Sequence, residues 1–400
     1  MKLESLDWEV LDRLRETFLT DAKSAGPYWH TMTDLECYDL TYGERIGWKW
    51  DAVLRELRLR GWAPSAGGTI LDWGCGSGVA GRRVVDFFGA MNFSRLLLHD
   101  HSELAMRFAE HRARKVFPGL AVETAGVRDL RGDAPLDMLV VSHVVNELDE
   151  AGRADLAALI ARAATVLWVE PGTSDVSRVL VSWREKLRGD FRVVAPCTHQ
   201  AACGLLAPAN ARHWCHHFAA PPPEIFANSD WVRFGQRAGI DLRNLPYSFL
   251  VLDRPSPRLR PASRPEVGSE QNAASSARPA DARRPDNEEQ NPEPGPPADL
   301  SAIARGATAE ASAKEGLSRI LGEPRFYKGY AKLFSCSAAG VEELMLPQRA
   351  DKGFFKALSR ARGPLLYRWT RAGAQITAAA PLSPAAPSRP AAAAPDSGTP

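Results

Sequence analysis

The sequence predicts an α/β protein built on a doubly wound, mainly parallel sheet. Three observations lead there: short apolar runs recur, helical segments alternate with them, and a glycine-rich turn joins the first run to its helix. The runs are "TILDW" (69–73), "RLLLHD" (95–100), "AVETAG" (121–126), "MLVVSHV" (138–144) and "TVLWVEPG" (165–172). Helical segments fall near 79–89, 102–115 and 150–164. Strands alternating with helices of this length form βαβ units, with helices on both sheet faces. "FRVVAP" (191–196) and "YSFLVLDR" (247–254) read as later strands of the same sheet. Ahead of it, residues 5–20 and 34–60 read as amphipathic helices, the second carrying Leu35, Tyr38, Leu54 and Leu57 among charges.

Composition bounds the rest. Four hundred residues at 44% hydrophobic content sustain at least one sizeable core. A net charge of +2 excludes a whole-surface electrostatic footprint, so any nucleic-acid surface is local. Six cysteines in 400 residues are no secreted disulfide framework, and they point to a reducing compartment. The N-terminus has no apolar signal core, and Glu4, Asp7, Glu9, Asp12 and Glu16 argue against a transit peptide. With no run approaching a membrane span, the expectation is a soluble, cytoplasmic protein with no membrane partner; the sequence is silent on oligomeric state.

The expected organisation is an N-terminal helical region (1–64), a sheet domain (65–254), a disordered linker (255–311), a β-rich basic C-terminal module (312–375) and a disordered tail (376–400). The linker is rich in Pro, Ala, Arg, Glu and Asn and has no aromatics, so it cannot bury enough apolar surface to offset its ordering entropy. Within the module, "FYKGYAKLFSCSAAGVEELMLPQ" (326–348) reads as a hairpin turning at Ser337–Gly340.

"ILDWGCGSG" sets Asp72, Gly74, Gly76 and Gly78 between a strand and a helix. Glycines there let the backbone approach a ligand, and the helix N-terminus favours an anionic group. A dinucleotide fingerprint would need glycine where Val79 stands. Instead, G-x-G-x-G with an acid two residues ahead resembles motif I of the class I S-adenosylmethionine (SAM)-dependent methyltransferases, whose sheet is Rossmann-like. That resemblance implies that Asp100, closing "LLLHD", holds the ribose hydroxyls and that Asp129 of "VRDL" meets the adenine. It also implies that the loop after the fourth strand, "SHVVNELDE", shapes the acceptor side. There His143 or Glu147 has the chemistry of a general base, with Asn146 beside them. A helix cap with polar packing explains the same residues equally well. No Asn-Pro-Pro-aromatic motif and no Pro-Cys pair names the acceptor atom.

Cys197, Cys203 and Cys215 follow C-x5-C-x11-C, looser than the paired C-x2–4-C of zinc fingers. With Cys336 as a fourth thiolate they suit an iron–sulfur cluster, and the floppy linker makes the long separation cheap. Zinc held by these cysteines with His199, His213, His216 or His217 stands beside that reading, as does no metal at all. Cys37, on a helix, and Cys75, inside the glycine loop, fit less well.

Taken in order, "YGERIGWKWDAVLREL", the glycine loop, "SHVVNEL", "LWVEPGT", "APCTH…C…WCHHF", "YSFLVLDR" and "KGYAKLFSC" resemble the methyltransferase-like small-ribosomal-subunit protein family, whose mitochondrial members act in mitoribosome assembly. The resemblance spans about 5–254 and 320–360. It implies SAM binding, a 4Fe–4S cluster on Cys197, Cys203, Cys215 and Cys336, and association with small-subunit rRNA. Thr198 and Gly204 stand where the family usually has proline.

From Lys314 to Arg371, twelve Lys/Arg face five Asp/Glu, with Phe326, Tyr327, Tyr330, Phe354 and Phe355 interspersed. Composition alone makes this a solvated basic face over core aromatics. The family resemblance adds RNA contact, with cations on phosphates and rings on unpaired bases. Arg/Pro-rich residues 254–284 are a further candidate for phosphate contact.

Overall fold

The computed structural model describes residues 6–20, 28–254, 316–361 and 363–383. The expected linker and most of the expected tail lie outside them.

Five strands, β1 (Gly68–Trp73), β2 (Phe93–His99), β3 (Ala121–Thr124), β4 (Leu136–Ser142) and β5 (Ala163–Pro171), form the parallel part of the sheet. Their neighbours β6 (Arg192–Ala195), the two-residue β7 (His217–Phe218) and β8 (Pro246–Asp253) complete it. The order is β3-β2-β1-β4-β5-β8-β6, with β8 antiparallel to both β5 and β6. A strand inserted antiparallel beside the fifth separates this wiring from the 3-2-1-4-5-6 order of dinucleotide-binding sheets. It is the class I methyltransferase arrangement.

The central strands β1, β4, β5 and β8 bury both faces, because side chains alternate and helices cover either side. Ile70, Val140, Leu167 and Val251 enter one core, under helices α3 (Glu44–Leu59), α4 (Val79–Phe88), α5 (Glu103–Val116) and α8 (Ser229–Ala238). Leu71, Val141, Trp168 and Leu250 enter the other, under α6 (Glu150–Arg162) and α7 (Ser174–Leu187). Asp7 caps α1 (Trp8–Leu19), and Ser102 and Asp149 cap α5 and α6. The single helix expected over 34–60 is instead α2 (Met32–Tyr38), a π-turn over Asp39–Gly43, and α3. Thr41 Oγ1 donates back to Cys37 O at 2.6 Å there, and Asp39 turns to Arg82 and Arg112.

The expected hairpin is present, as β10 (Tyr330–Ser337) and β11 (Gly340–Pro347), but it is part of a larger unit. With β9 (Leu317–Tyr327), β12 (Leu366–Ala372) and β13 (Gln375–Pro381) it closes into a five-stranded barrel. Ile320, Leu333, Leu344, Leu346, Tyr367 and Ile376 fill its interior. Helix α9 (Lys352–Arg360), capped by Asp351, contributes Leu358 to the same core. β13 runs into the stretch expected to be disordered tail: an Ala-rich strand pairs along β12 from Gln375 to Pro381. Among the described residues, no helix is long and apolar enough to cross a membrane.

Candidate functional site

The glycine loop leaves β1 at the carboxyl edge of the sheet, where open α/β folds bind ligands. Gly74, Gly76 and Gly78 all have positive φ. A Cβ on Gly74 would strike Val144 at 2.5 Å, and one on Gly78 would strike Ala109 at 2.8 Å. Gly76 differs: among the described residues no heavy atom lies within 4 Å of where its Cβ would stand. The loop is therefore packed at its ends and open at its middle.

Asp100, the residue after β2, stands beside that opening. Its carboxylate accepts Gly76 N–H at 2.8 Å and Ser102 N–H at 2.9 Å, with His101 Nδ1 at 3.3 Å. Two backbone bonds leave a carboxylate with lone pairs to spare. Asp72 sits beneath the loop, fully buried. One oxygen accepts Gly81 N–H at 2.8 Å, and the other has no partner among the described residues. Burial raises its pKa to about 7. It braces the start of α4 rather than facing the opening. Asp129 lies exposed in the turn after β3, its carboxylate accepting Gly126 N–H at 2.8 Å.

The loop after β4 supplies the other wall. His143 has φ 59°, unusual for a non-glycine residue. Its Nε2 lies 3.2 Å from Lys49 Nζ, and Nδ1 lies 3.4 Å from Ser142 Oγ, which also accepts Trp50 Nε1–H. Burial and then Lys49 push the His143 pKa well below the usual imidazole value. Burial and Arg45 lower Lys49 to about 8. A neutral imidazole thus accepts from an ammonium, which occupies the nitrogen that a base would use. Glu147 faces Tyr28, whose hydroxyl is 3.4 Å from Oε1; burial and Asp100 raise Glu147 to about 7. Asn146 is exposed. Lys49, Tyr28 and Glu170 were not singled out from the sequence. Glu170 holds the loop through Val144 N–H and Val145 N–H, and burial raises it to about 7. The one available signal was a lysine between the buried Trp48 and Trp50.

Four of the six cysteines lie in one region of the fold. Cys197, Cys203 and Cys215 line one small cavity, and Cys336 of β10 packs with Cys203 and Cys215 around Val181, Leu205 and Leu321. All four are free thiols. Burial and the neighbouring sulfurs push Cys215 and Cys336 far above the usual thiol value. Cys37 and Cys75 stay apart, in the N-terminal helices and the glycine loop. His199 Nε2 is 3.9 Å from Cys336 Sγ, and His217 Nε2 is 3.6 Å from Cys215 Sγ. Among the described residues no three His, Cys, Asp or Glu side chains close tightly enough to hold a single ion.

Buried cations hold this group. Arg184 reaches His199 O at 3.1 Å, while its Nε has no partner among the described residues. Glu56, fully buried on α3, binds Arg60 and Arg319 together. Arg60 donates to Val194 O, Cys197 O and Pro196 O, and Arg319 donates to the same Pro196 O at 2.8 Å. Arg319 belongs to β9, so this network ties the barrel to the Cys197 loop. Gly204 explains one departure from the family pattern: a Cβ there would lie 2.8 Å from Val341 N and 2.9 Å from Gly340 Cα, in the hairpin turn.

Strand order and an open glycine loop under a β2 carboxylate define a class I methyltransferase-fold protein. The family resemblance read from the sequence is borne out: the family described as mitochondrial small ribosomal subunit Rsm22 matches residues 52–235. Similar solved structures include the N-methyltransferase NodS from Bradyrhizobium japonicum WM9 with S-adenosylhomocysteine, at 13% identity and TM-score 0.34, covering 55% of this chain and 91% of that one. Magnesium protoporphyrin IX methyltransferase from Synechocystis PCC 6803 gives 15% identity and TM-score 0.33, covering 61% and 93%. A SAM-dependent methyltransferase from Aquifex aeolicus gives 17% identity and TM-score 0.30, covering 41% and 90%. At these scores the fold assignment rests on the strand order. No curated protein matches.

Proposed function

We propose that this chain binds SAM at the glycine loop and acts on the small ribosomal subunit or its RNA. In the same reading its four cysteines hold a 4Fe–4S cluster. The observation that carries the proposal is the meeting of Cys336 with Cys197, Cys203 and Cys215. The family match contains the glycine loop and three of these residues, and the fourth arrives from outside it.

The residues fit both groups. For SAM, Gly76 offers the open face, Asp100 keeps lone pairs that would serve ribose hydroxyls, and Asp129 is the residue that would meet the adenine. SAM supplies a methyl group on a cationic sulfonium, which suits the acidic wall of Asp100 and Glu147. Glu147 is the residue poised to take a proton near neutral pH, whereas Lys49 holds His143 by its Nε2. For the cluster, four reduced thiols stand beside the buried guanidinium groups of Arg184 and Arg319, which suit thiolates. The cluster's role would be structural, joining barrel to sheet across the linker.

A non-catalytic assembly role is favoured by one observation, the occupied Nε2 of His143. Loss of a specific rRNA methyl group on deletion would support transfer. Rescue by a Gly76→Arg variant unable to bind SAM would support assembly alone. Anaerobically purified protein should be brown, with roughly four iron per chain; colourless, iron-free protein would refute the cluster. Cys336→Ser should lose iron as far as Cys203→Ser does.

A further inference from the structure

The wiring of the C-terminal barrel is left unused by the site described above. Numbered along the chain from β9, its strands close as first, second, third, fifth, fourth and back to first. The third and fifth run parallel through Met345 and Gln375, the fourth and first antiparallel, and α9 lies between the third and fourth. This is the topology of the OB-fold, which uses the outer face of strands two and three, with loops 1–2 and 4–5, to take oligonucleotides or oligosaccharides.

Here that face is divided. In β10, Ala331, Leu333 and Ser335 are buried, and Tyr330, Lys332, Phe334 and Cys336 alternate with them. Cys336 and Phe334 are committed to the sheet domain, the Phe334 ring lying 4.2 Å from that of His213. The opposite end is open. Tyr327 and Tyr330 flank the 1–2 loop and stack on each other at 4.9 Å with 14° between planes. Tyr327 is 45% exposed and Phe326 is 41% exposed. The expected aromatic set therefore splits: Phe354 and Phe355 pack on the barrel core, while the tyrosine pair faces outward.

Beside the pair lies an open cleft of about 630 Å³ lined by Gly329, Met345, Gln348, Arg349, Lys352 and Gln375, among others. It sits where the 1–2 loop, the end of the third strand and the 4–5 loop meet. Its charge is one-sided. Arg349 and Lys352 line it, Lys328 precedes the lining Gly329 in the 1–2 loop, and Lys356 follows Lys352 by one turn of α9; Asp351 is used as the α9 cap, and Glu343 is shared by Arg325 and Lys332. A neutral sugar gives no reason for this excess, whereas a polyanion with flat bases does.

We infer that this end of the barrel binds single-stranded RNA, with unpaired bases stacking on Tyr327 and Tyr330 and phosphates along Lys328, Arg349 and Lys352. The inference deepens the ribosomal reading and rests on it for the choice of RNA. The surface itself requires neither SAM nor the cluster.

The test uses the full chain and fluorescence anisotropy with a labelled single strand of about ten nucleotides. Tyr327→Ala with Tyr330→Ala should weaken binding by about 5- to 100-fold, while Tyr327→Phe with Tyr330→Phe should retain it. Arg349→Gln with Lys352→Gln should lower the slope of log affinity against log salt by roughly 1 to 2. Full affinity in a folded alanine pair, or equal loss in the phenylalanine pair, would overturn the inference. So would wild-type protein that ignores RNA, which would leave the surface to a protein partner. If the alanine pair unfolds, the phenylalanine and charge pairs decide. SAM binding, measured on the same samples by calorimetry, should persist in every variant. Its absence from wild type would instead strike the reading of the glycine loop.

Discussion

Replacing Glu56 by glutamine tests what couples the barrel to the sheet domain. The side chain of Glu56 is 0% exposed, and those of Arg60 and Arg319 are 11% and 3% exposed. Glutamine keeps the shape and one acceptor oxygen but leaves two buried guanidinium groups without a counter-charge. Removing one partner of a buried pair costs about 3–5 kcal/mol. Arg60 keeps three carbonyl acceptors, which argues for the lower end, about 3 kcal/mol. For a unit of this size each kcal/mol moves the melting temperature by roughly 2–4 °C, so a fall of about 6–12 °C is expected at neutral pH. Differential scanning calorimetry measures it, and limited proteolysis shows whether the barrel loosens first. The sign with pH follows from Glu56. Burial raises its carboxyl pKa, but Arg319 and Arg60 outweigh that and hold it below the ordinary value. The stabilisation is therefore complete above the unfolded carboxyl pKa and is lost as pH falls through the folded one. The gap between wild type and variant should be full at neutral pH, begin to narrow only below the ordinary glutamate value of about 4.3, and close as pH falls through the folded pKa beneath it. A variant melting within about 1 °C of wild type at pH 7 would refute the reasoning.

Further outcomes follow from the same geometry. Glu147, raised to about 7, keeps its proton in the folded state over a range where the unfolded chain has lost it, so stability should decline as pH rises from about 4.5 to 7. Glu147→Gln should reduce that decline and melt higher than wild type at pH 8 but not at pH 4, in parallel thermal scans. Gly204→Ala would press a methyl group onto the backbone of the hairpin turn, at 2.8 Å from Val341 N. A loss of about 1–3 kcal/mol is expected, with faster thiol labelling of Cys203 and Cys336 in metal-free protein. Unchanged labelling would show that the turn yields without cost.

How far the site was legible depended on whether its residues were neighbours in the chain. Gly74, Gly76 and Gly78 mark a turn by spacing alone, and Asp100 follows once the strands are counted. Asp72 shows the limit: the motif names it, but only coordinates reveal an oxygen bonded to Gly81 N–H beneath the helix. His143 reads as a candidate base from its loop, and the fold adds what the loop does not record, Lys49 from 94 positions away at 3.2 Å from its Nε2. Arg319 carried no signal at all. An arginine in a basic stretch reads as surface, yet its guanidinium is buried against Glu56, 263 positions earlier.

Sequence by itself determined the layered sheet, the glycine loop and the hairpin, because periodicity and local spacing encode strands and turns. Only the tertiary structure decided that five strands close into a barrel, that Glu56, paired with Arg60 one turn along, also binds Arg319 from 263 positions later, and that Tyr327 and Tyr330 face outward. Those outcomes depend on which surfaces exclude water from one another. That is a property of contacts made across long stretches of chain, and no local pattern records it.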